Sequence, residues 1–324
     1  VVRVYKEHGI LAIKVRIEGT ETERVLLITE GRLQARGTYA AWLPEGDRVT
    51  QDGLRLAIAR AQDAAKANNE TLYVQVGKVN EQGGVEVVLG GTPNPDDGAR
   101  WVGSASSFGP RYSGSDAVSL VYSKPLGNEV FMDASATVGL PGLHSDSRGG
   151  HYVGANGGLS KATPYGLFSA RISQTQSKVG GDNRELDQNG QVPKLDGEWS
   201  YVLQPGLTSY TGIGYTRQRS SIGMFNWDDT IGSTALKAGL RLRQTHQKWN
   251  YGGDLGIEQG LSLQRTVRAP GLLLGEADAH YSLASINADA TLQVPEWYGS
   301  LSLSGGGQKG SSGTPTGSQF YVGG

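Results

Sequence analysis

Beyond residue 99 the apolar and polar positions of this chain alternate with a period of two. In WYGSLSLSGG, residues 297 to 306, the odd positions Trp297, Gly299, Leu301 and Leu303 are apolar or small, and Tyr298, Ser300, Ser302 and Ser304 carry hydroxyls. A strand here has one greasy and one wet face. Eleven such strands are expected before the chain ends. Short turns at KPLGNE (124–129), ATPYG (162–166), LQPGL (203–207), HQKW (246–249) and VPEW (294–297) alternate with longer polar or glycine-rich segments. The latter fall at about 107–115, 140–150, 178–193, 219–232, 262–275 and from 306 onward. Short, long, short, long is the connection pattern of a transmembrane β-barrel.

Two hairpins predict their own registers. With Gln247 and Lys248 as a two-residue turn, Arg241 stands opposite Asp254 and Lys237 opposite Glu258 on one face, while Leu240 meets Leu255 and Ala238 meets Ile257 on the other. The same arithmetic about Pro295 and Glu296 pairs Ala290 with Leu301 and Ala288 with Leu303. A slip of one residue would spoil both faces.

Up to about residue 97 the pattern is mixed. ILAIKVRI (10–17) and RVLLIT (24–29) read as strands following the end of a helix at residues 1–8. Then come a strand near Leu33–Thr38, a helix from about Thr50 to Lys66, and strands TLYVQVGKV (71–79) and GVEVVLG (84–90). Leu54, Ala57, Ile58, Ala61, Ala64 and Ala65 recur at helical spacing behind an N-cap at Thr50, and their small side chains suit close packing on a three-stranded sheet.

No helix or strand set of comparable size remains to cover eleven apolar faces, so their neighbour is a second sheet or lipid. A soluble double-layer sandwich satisfies the alternation equally. Lipid is favoured by long strands, by alternating connection lengths, and by aromatic residues near the short turns: Tyr165, Trp199, Tyr201, Trp249, Tyr251, Trp297 and Tyr298. The charged face, Lys237, Arg241, Arg243, Asp254 and Glu258, then lines a water-filled lumen suited to a polar passenger.

Composition narrows the chemistry. A formal net charge of -1 over 324 residues gives no reason to expect nucleic acid, and the absence of cysteine removes disulfides and thiolate chemistry. Glycine, at 49 residues, is about twice its average usage, yet only 12 prolines accompany it, which is neither a collagen nor a linker composition. GGGQKG (305–310) matches G-x-G-x-x-G, but no helix follows to hold a pyrophosphate, and a flexible loop is expected. His144, Asp146 and His151 could ligate a metal, although the intervening Ser, Arg and Gly residues favour a solvated loop. Asp228 and Asp229 read as exposed charge, and no serine triad or G-x-S-x-G elbow can be assembled. The expectation is a protein that is not an enzyme and takes no cofactor.

The order of a partial α/β unit, a complete one and a barrel resembles the two-partner secretion transporters of the Gram-negative outer membrane, also known as hemolysin secretion and activation proteins. YKEHGILAIKVRIE with RVLLITEGRL resembles the end of that family's first POTRA domain, GDRVTQDGLRLAIARAQ the helix of its second, and FGPRYSGSDAVSLVYSKPLGNE its first barrel hairpin. TGSQFYVGG resembles the approach to the sixth-loop Val-Arg-Gly-Tyr motif, expected within about ten positions beyond Gly324. The resemblance implies domains at 1–32 (end of the first POTRA), 33–97 (second POTRA) and 98–324 (barrel, about 11 of 16 strands), in a chain that is a piece of a longer protein. It also implies POTRA domains in the periplasm that receive an unfolded exoprotein and a barrel, set in outer-membrane lipid and lipopolysaccharide, that conducts it without ATP. Strand addition along Leu72, Tyr73, Val74, Gln75 and Val76 is a physical route for that capture, the alternative being a strand that is merely structural. The rival readings are a passive channel for small solutes or a polysaccharide, and a soluble β-rich binding or adhesive module.

Overall fold

The computed structural model describes residues 2–20, 23–106, 113, 116–140, 149–268, 279–294, 299–311 and 314. Most of the segments expected as loops at 107–115 and 140–150 lie outside the described residues. So do the turn residues Pro295 and Glu296, the aromatics Trp297 and Tyr298, His144 and Asp146, and the TGSQFYVGG segment.

The chain opens with a short helix α1 (Val2–Glu7) and an antiparallel hairpin of β1 (Ile13–Gly19) and β2 (Arg24–Glu30). A three-stranded sheet follows, in which β5 (Gly84–Pro93) lies between β3 (Arg32–Arg36), parallel to it, and β4 (Glu70–Val79), antiparallel to it. Helix α2 (Gln51–Ala67) covers this sheet. It begins at Thr50, whose hydroxyl accepts from the Gly53 amide at 3.1 Å and so satisfies one of the free N–H groups of the first turn. Its buried Leu54, Ala57, Ala61, Ala64 and Ala65 pack against Leu33, Val85, Val87 and Leu89. Alanines along this stripe let the helix approach the sheet closely.

The remaining strands form one antiparallel sheet of eleven, each paired with its neighbour in sequence. They are β6 (Arg100–Ser106), β7 (Ala117–Gly127), β8 (Val130–Gly139), β9 (His151–Thr163), β10 (Gly166–Lys178), β11 (Gln188–Gln204), β12 (Leu207–Ile222), β13 (Trp227–His246), β14 (Trp249–Arg268), β15 (Ser282–Val294) and β16 (Gly299–Gly310). Such a meander, with no helix long and apolar enough to cross a membrane among the described residues, is the up-and-down topology of a barrel wall. Its edge strands β6 and β16 are not paired with each other among the described residues.

Several strands run farther than the sequence suggests. β10, β11, β12, β13 and β14 extend into the segments expected as loops, leaving short 3-10 turns at Gly181–Leu186 and Gly223–Phe225. In these extensions polar residues take the face that is apolar elsewhere while Ile222, Ile231, Leu263 and Val267 lie on the other, so the hydrophobic alternation is reversed but the backbone pairing continues. GGGQKG is likewise the end of β16 rather than a loop: its glycines pair with Leu283 to Ala288 of β15.

The register about Gln247 and Lys248 is the expected one, with Arg241 opposite Asp254, Lys237 opposite Glu258, Leu240 opposite Leu255 and Ala238 opposite Ile257. The β15–β16 register is corrected by two residues: Leu303 faces Ala290 and Leu301 faces Leu292. The connection there spans 295–298, longer than the two residues assumed, and a shift of two preserves the faces.

One face of the large sheet is apolar from strand to strand. A row runs Ala170, Gly197, Ile213, Leu236, and the next Phe168, Trp199, Thr211, Ala238, Ile257, Ala284. Nothing among the described residues covers this face: Leu240, Leu255, Leu301 and Leu303 are 40%, 54%, 68% and 77% exposed. A soluble sandwich would bury those side chains under a second sheet.

Candidate functional site

The opposite face carries the charge, and glycine makes room for it. Lys237, Arg241 and Arg243 on β13 and Asp254 and Glu258 on β14 share this face, as the pleat requires. Arg241 is the hub. Its two Nη atoms donate to both carboxylate oxygens of Glu198 on β11 at 2.5 and 2.6 Å, its Nε donates to Asp254 at 3.1 Å, and its guanidinium lies 4.1 Å from the centre of the Tyr210 ring. The Tyr210 hydroxyl donates to the other Asp254 oxygen at 3.0 Å. A planar cation thus holds two carboxylates on either side of it, the geometry for which arginine is suited.

To reach Glu198, Arg241 must pass over β12. Lys237 does likewise, donating to Asp196 at 2.8 Å rather than to its cross-strand neighbour Glu258, which accepts from the Tyr281 hydroxyl at 2.5 Å. The β12 residues opposite Asp196 and Glu198 are Gly214 and Gly212. A Cβ on Gly214 would stand 2.7 Å from the Asp196 carboxylate and 3.0 Å from Lys237 Nζ. The pattern recurs: Arg243 pairs with Asp289 at 3.4 Å across Gly252, and Arg171 with Asp133 at 3.3 Å across Gly158. A Cβ at either glycine would collide with those side chains. Long ionic side chains therefore lie flat over glycines and link strands two apart, giving a wall whose charges are largely answered locally.

Asp196, Glu198, Tyr210 and Asp289 complete this wall and were not apparent from the sequence. The available signal was glycine on the wet face of β9, β12 and β14. With Arg241 replaced by methionine, Glu198 and Asp254 face each other without their cation. A several-fold rise in the cation-to-anion permeability ratio of the full-length protein in planar bilayers is expected.

At the end of the sheet where the short turns gather, α2 docks onto the strand ends. Arg60 Nε donates to the Val202 carbonyl at 3.1 Å and its guanidinium stacks 4.3 Å from the Tyr201 ring, while Lys66 Nζ sits 4.4 Å from the Phe131 ring. Asn68 at the helix C-cap accepts from the Glu129 amide at 2.8 Å and donates to the Tyr39 hydroxyl at 3.1 Å. Tyr39 in turn donates to Glu70 on β4 at 2.6 Å. Burial first, and the Glu70 carboxylate second, push the Tyr39 hydroxyl up to about 12, so it remains a donor. A chain of hydrogen bonds thereby joins the first residues of β4 to the β7–β8 turn.

β4 is an edge of its sheet, and Leu72, Tyr73, Val74, Gln75 and Val76 lie along it. Leu72 is partly buried against α2, whereas Tyr73, Val74 and Val76 are 41%, 37% and 40% exposed. Beside this edge a groove of about 610 Å³ runs between α2 and the ends of β6 to β8, lined by Gln62, Lys66, Leu72, Arg100 and Phe131 among others.

Aromatic residues flank the apolar face near the short turns. Trp199 donates from Nε1 to the Tyr165 carbonyl at 2.9 Å and stacks 6.1 Å from Tyr201, and Trp101 lies 4.4 Å from Tyr122. His151 opens β9 among uncharged polar side chains and Arg219, and no group of three metal-ligating residues occurs among the described residues.

No protein-family model matches the chain, and no curated protein matches it by sequence. Solved structures do. CdiB from Escherichia coli aligns with 96% of this chain at a TM-score of 0.64 and 15% identity, and CdiB from Acinetobacter baumannii with 91% at 0.55 and 10% identity. The chain spans 60% and 67% of those two structures respectively. It has their fold, as the resemblance read from the sequence implies.

Proposed function

We propose that this chain belongs to an outer-membrane export pore of the two-partner type, in which the α/β units face the periplasm and the eleven strands form part of the barrel wall. The observation that carries this reading is the division of one sheet into an uncovered apolar face and an ionic face. Lipid satisfies the first and water the second, whereas this sheet left uncovered in bulk water satisfies only the second. The apolar positions of β12 run from Leu207 to Tyr215, about 27 Å of strand at the antiparallel rise, or about 20 Å of membrane once tilted by ~40°.

An unfolded exoprotein adds as a strand to the free edge of β4, where Tyr73, Val74 and Val76 offer side-chain contacts and the backbone offers the ladder. It then passes along the groove beside α2 to the barrel. The ionic wall is close to self-neutral, so segments of either charge meet no strong field there. Folding outside biases transit, and neither ATP nor a cofactor takes part. The protein is a conduit, not an enzyme.

A photo-crosslinking residue at Val74 or Val76 of the full-length protein tests the capture step. It is expected to trap a periplasmic exoprotein in cells whose secretion is arrested, whereas the same residue at Tyr165, in a short turn away from β4, traps none. Equal yields at both positions would exclude β4 as the receiving edge.

A further inference from the structure

Toward the long-connection end of the sheet, the face that is apolar elsewhere turns polar over three successive rows. Above Ile172, Leu195 and Tyr215 come Gln174, Pro193, Arg217, Gly232 and Gln264, then Gln176, Gln191, Arg219, Thr230 and Thr266, then Lys178, Asn189, Ser221, Asp228 and Arg268. A soluble surface would not need this boundary. On a membrane wall it falls where acyl chains give way to head groups.

Charge is unequal in these rows. Lys178, Arg217, Arg219 and Arg268 stand against Asp228 and the neighbouring Asp187; Arg219 bonds Asp228 at 3.0 Å through Nε, and Lys178 lies 2.8 Å from Asp187. Asp182, Arg184 and Glu185 sit farther out in the 3-10 turn. Arg217 is exposed and has no ion pair among the described residues. Between β9 and β12 the rows enclose a polar depression of about 300 Å³, lined by His151, Gln176, Asn189, Gln191, Arg219 and Ser221. Its side chains are rich in N–H and O–H donors. On the same strands, nearer the short turns, lies an apolar depression of about 700 Å³ lined by Leu159, Phe168, Ala170, Gly197, Ile213 and Leu236.

We propose that this face is a binding site for a phosphorylated, acylated lipid of the outer leaflet, with the phosphate held by Arg217, Arg219 and the amides of Gln176 and Gln191, and acyl chains lying in the apolar depression below. Lipopolysaccharide, through its lipid A phosphates, is the occupant that matches a phosphate above several chains. A guanidinium fork with free N–H groups suits a phosphate oxygen pair, and the long arginine stem keeps that fork at the aqueous boundary. The site rests on the reading of the apolar face as lipid-facing.

The test is native mass spectrometry of the full-length protein in detergent, titrated with bisphosphorylated lipid A and with lipid A lacking both phosphates. A stoichiometric adduct is expected for the phosphorylated form only, weakened about tenfold in the Arg217→Ser/Arg219→Ser double variant. A second pair of variants, Gln176→Ala and Gln191→Ala, should weaken it less. Membrane insertion, followed by heat-modifiable migration, should be unchanged in all of them. Equal binding of the two lipids, or equal binding by wild type and double variant, overturns the site while leaving the membrane reading intact. Failure of wild type itself to enter bilayers overturns both.

Discussion

Replacement of Leu255 by arginine is expected to cost about 2–4 kcal/mol of stability in a bilayer, enough to prevent much of the protein from assembling. Leu255 is 54% exposed on the apolar face, paired with Leu240 on one side and Ile286 on the other. Every neighbour within reach is a hydrocarbon side chain, so the guanidinium would find neither a carboxylate nor water. In a soluble protein the same change on so exposed a surface would be nearly neutral or would improve solubility. Ser304→Arg provides the comparison: it lies on the ionic face of β16 opposite Asp289 and is exposed. An arginine there gains a partner, and little change is expected. Urea titration of the full-length protein folded into phosphatidylcholine vesicles measures both. Equal stabilities of the Leu255 and Ser304 variants would remove lipid as the neighbour of the apolar face.

Excision of residues 1–97 from the full-length protein is expected to abolish export of the exoprotein while the barrel still enters the membrane. The barrel wall draws its ladder and its ionic wall from residues beyond 99, and the α/β unit contributes only a cap at one end. Loss of α2 uncovers Ala162, removes the Arg60 and Lys66 contacts on Tyr201 and Phe131, and leaves the Glu129 amide to water. These are modest losses for a sheet of eleven strands. The expected loss of export is larger, since on the proposed reading the client is received at the β4 edge and the groove beside it, which disappear altogether. Export measured as exoprotein in the medium, with barrel assembly followed by heat-modifiable migration, separates the two. Undiminished export would favour a passive channel, which has no use for a docked α/β unit.

How much of this was legible in the chain varies by element. The Gln247–Lys248 hairpin could be registered from its turn alone, because both its faces are consistent in one pairing only. The turn at Pro205 and Gly206 would have misled the same arithmetic: counting from Gln204 opposite Leu207 sets Asp196 against Tyr215, on the wrong face. A bulge between Val202 and Gln204 restores Asp196 to Gly214 and Glu198 to Gly212. A second bulge, between Thr234 and Ala235, resets β13 against β14 so that Asp228 meets Arg268. Residues 72–76 lie on an edge strand, and Leu72 packs against the core that α2 covers. Its single apolar side chain gave no sign of that contact.

The order of residues by itself determined which side chains of one strand share a face, how many strands there are, and where α2 begins, since the two-residue pleat, the 3.6-residue turn and the Thr50 cap are local properties of the backbone. Only the tertiary structure decided which carboxylate each cation takes. Lys237 stands opposite Glu258 but bonds Asp196, and Arg241 reaches Glu198 as well as Asp254, because glycine on the intervening strand opens a path across it. That choice depends on three strands at once and on a bulge that no pairwise spacing reveals.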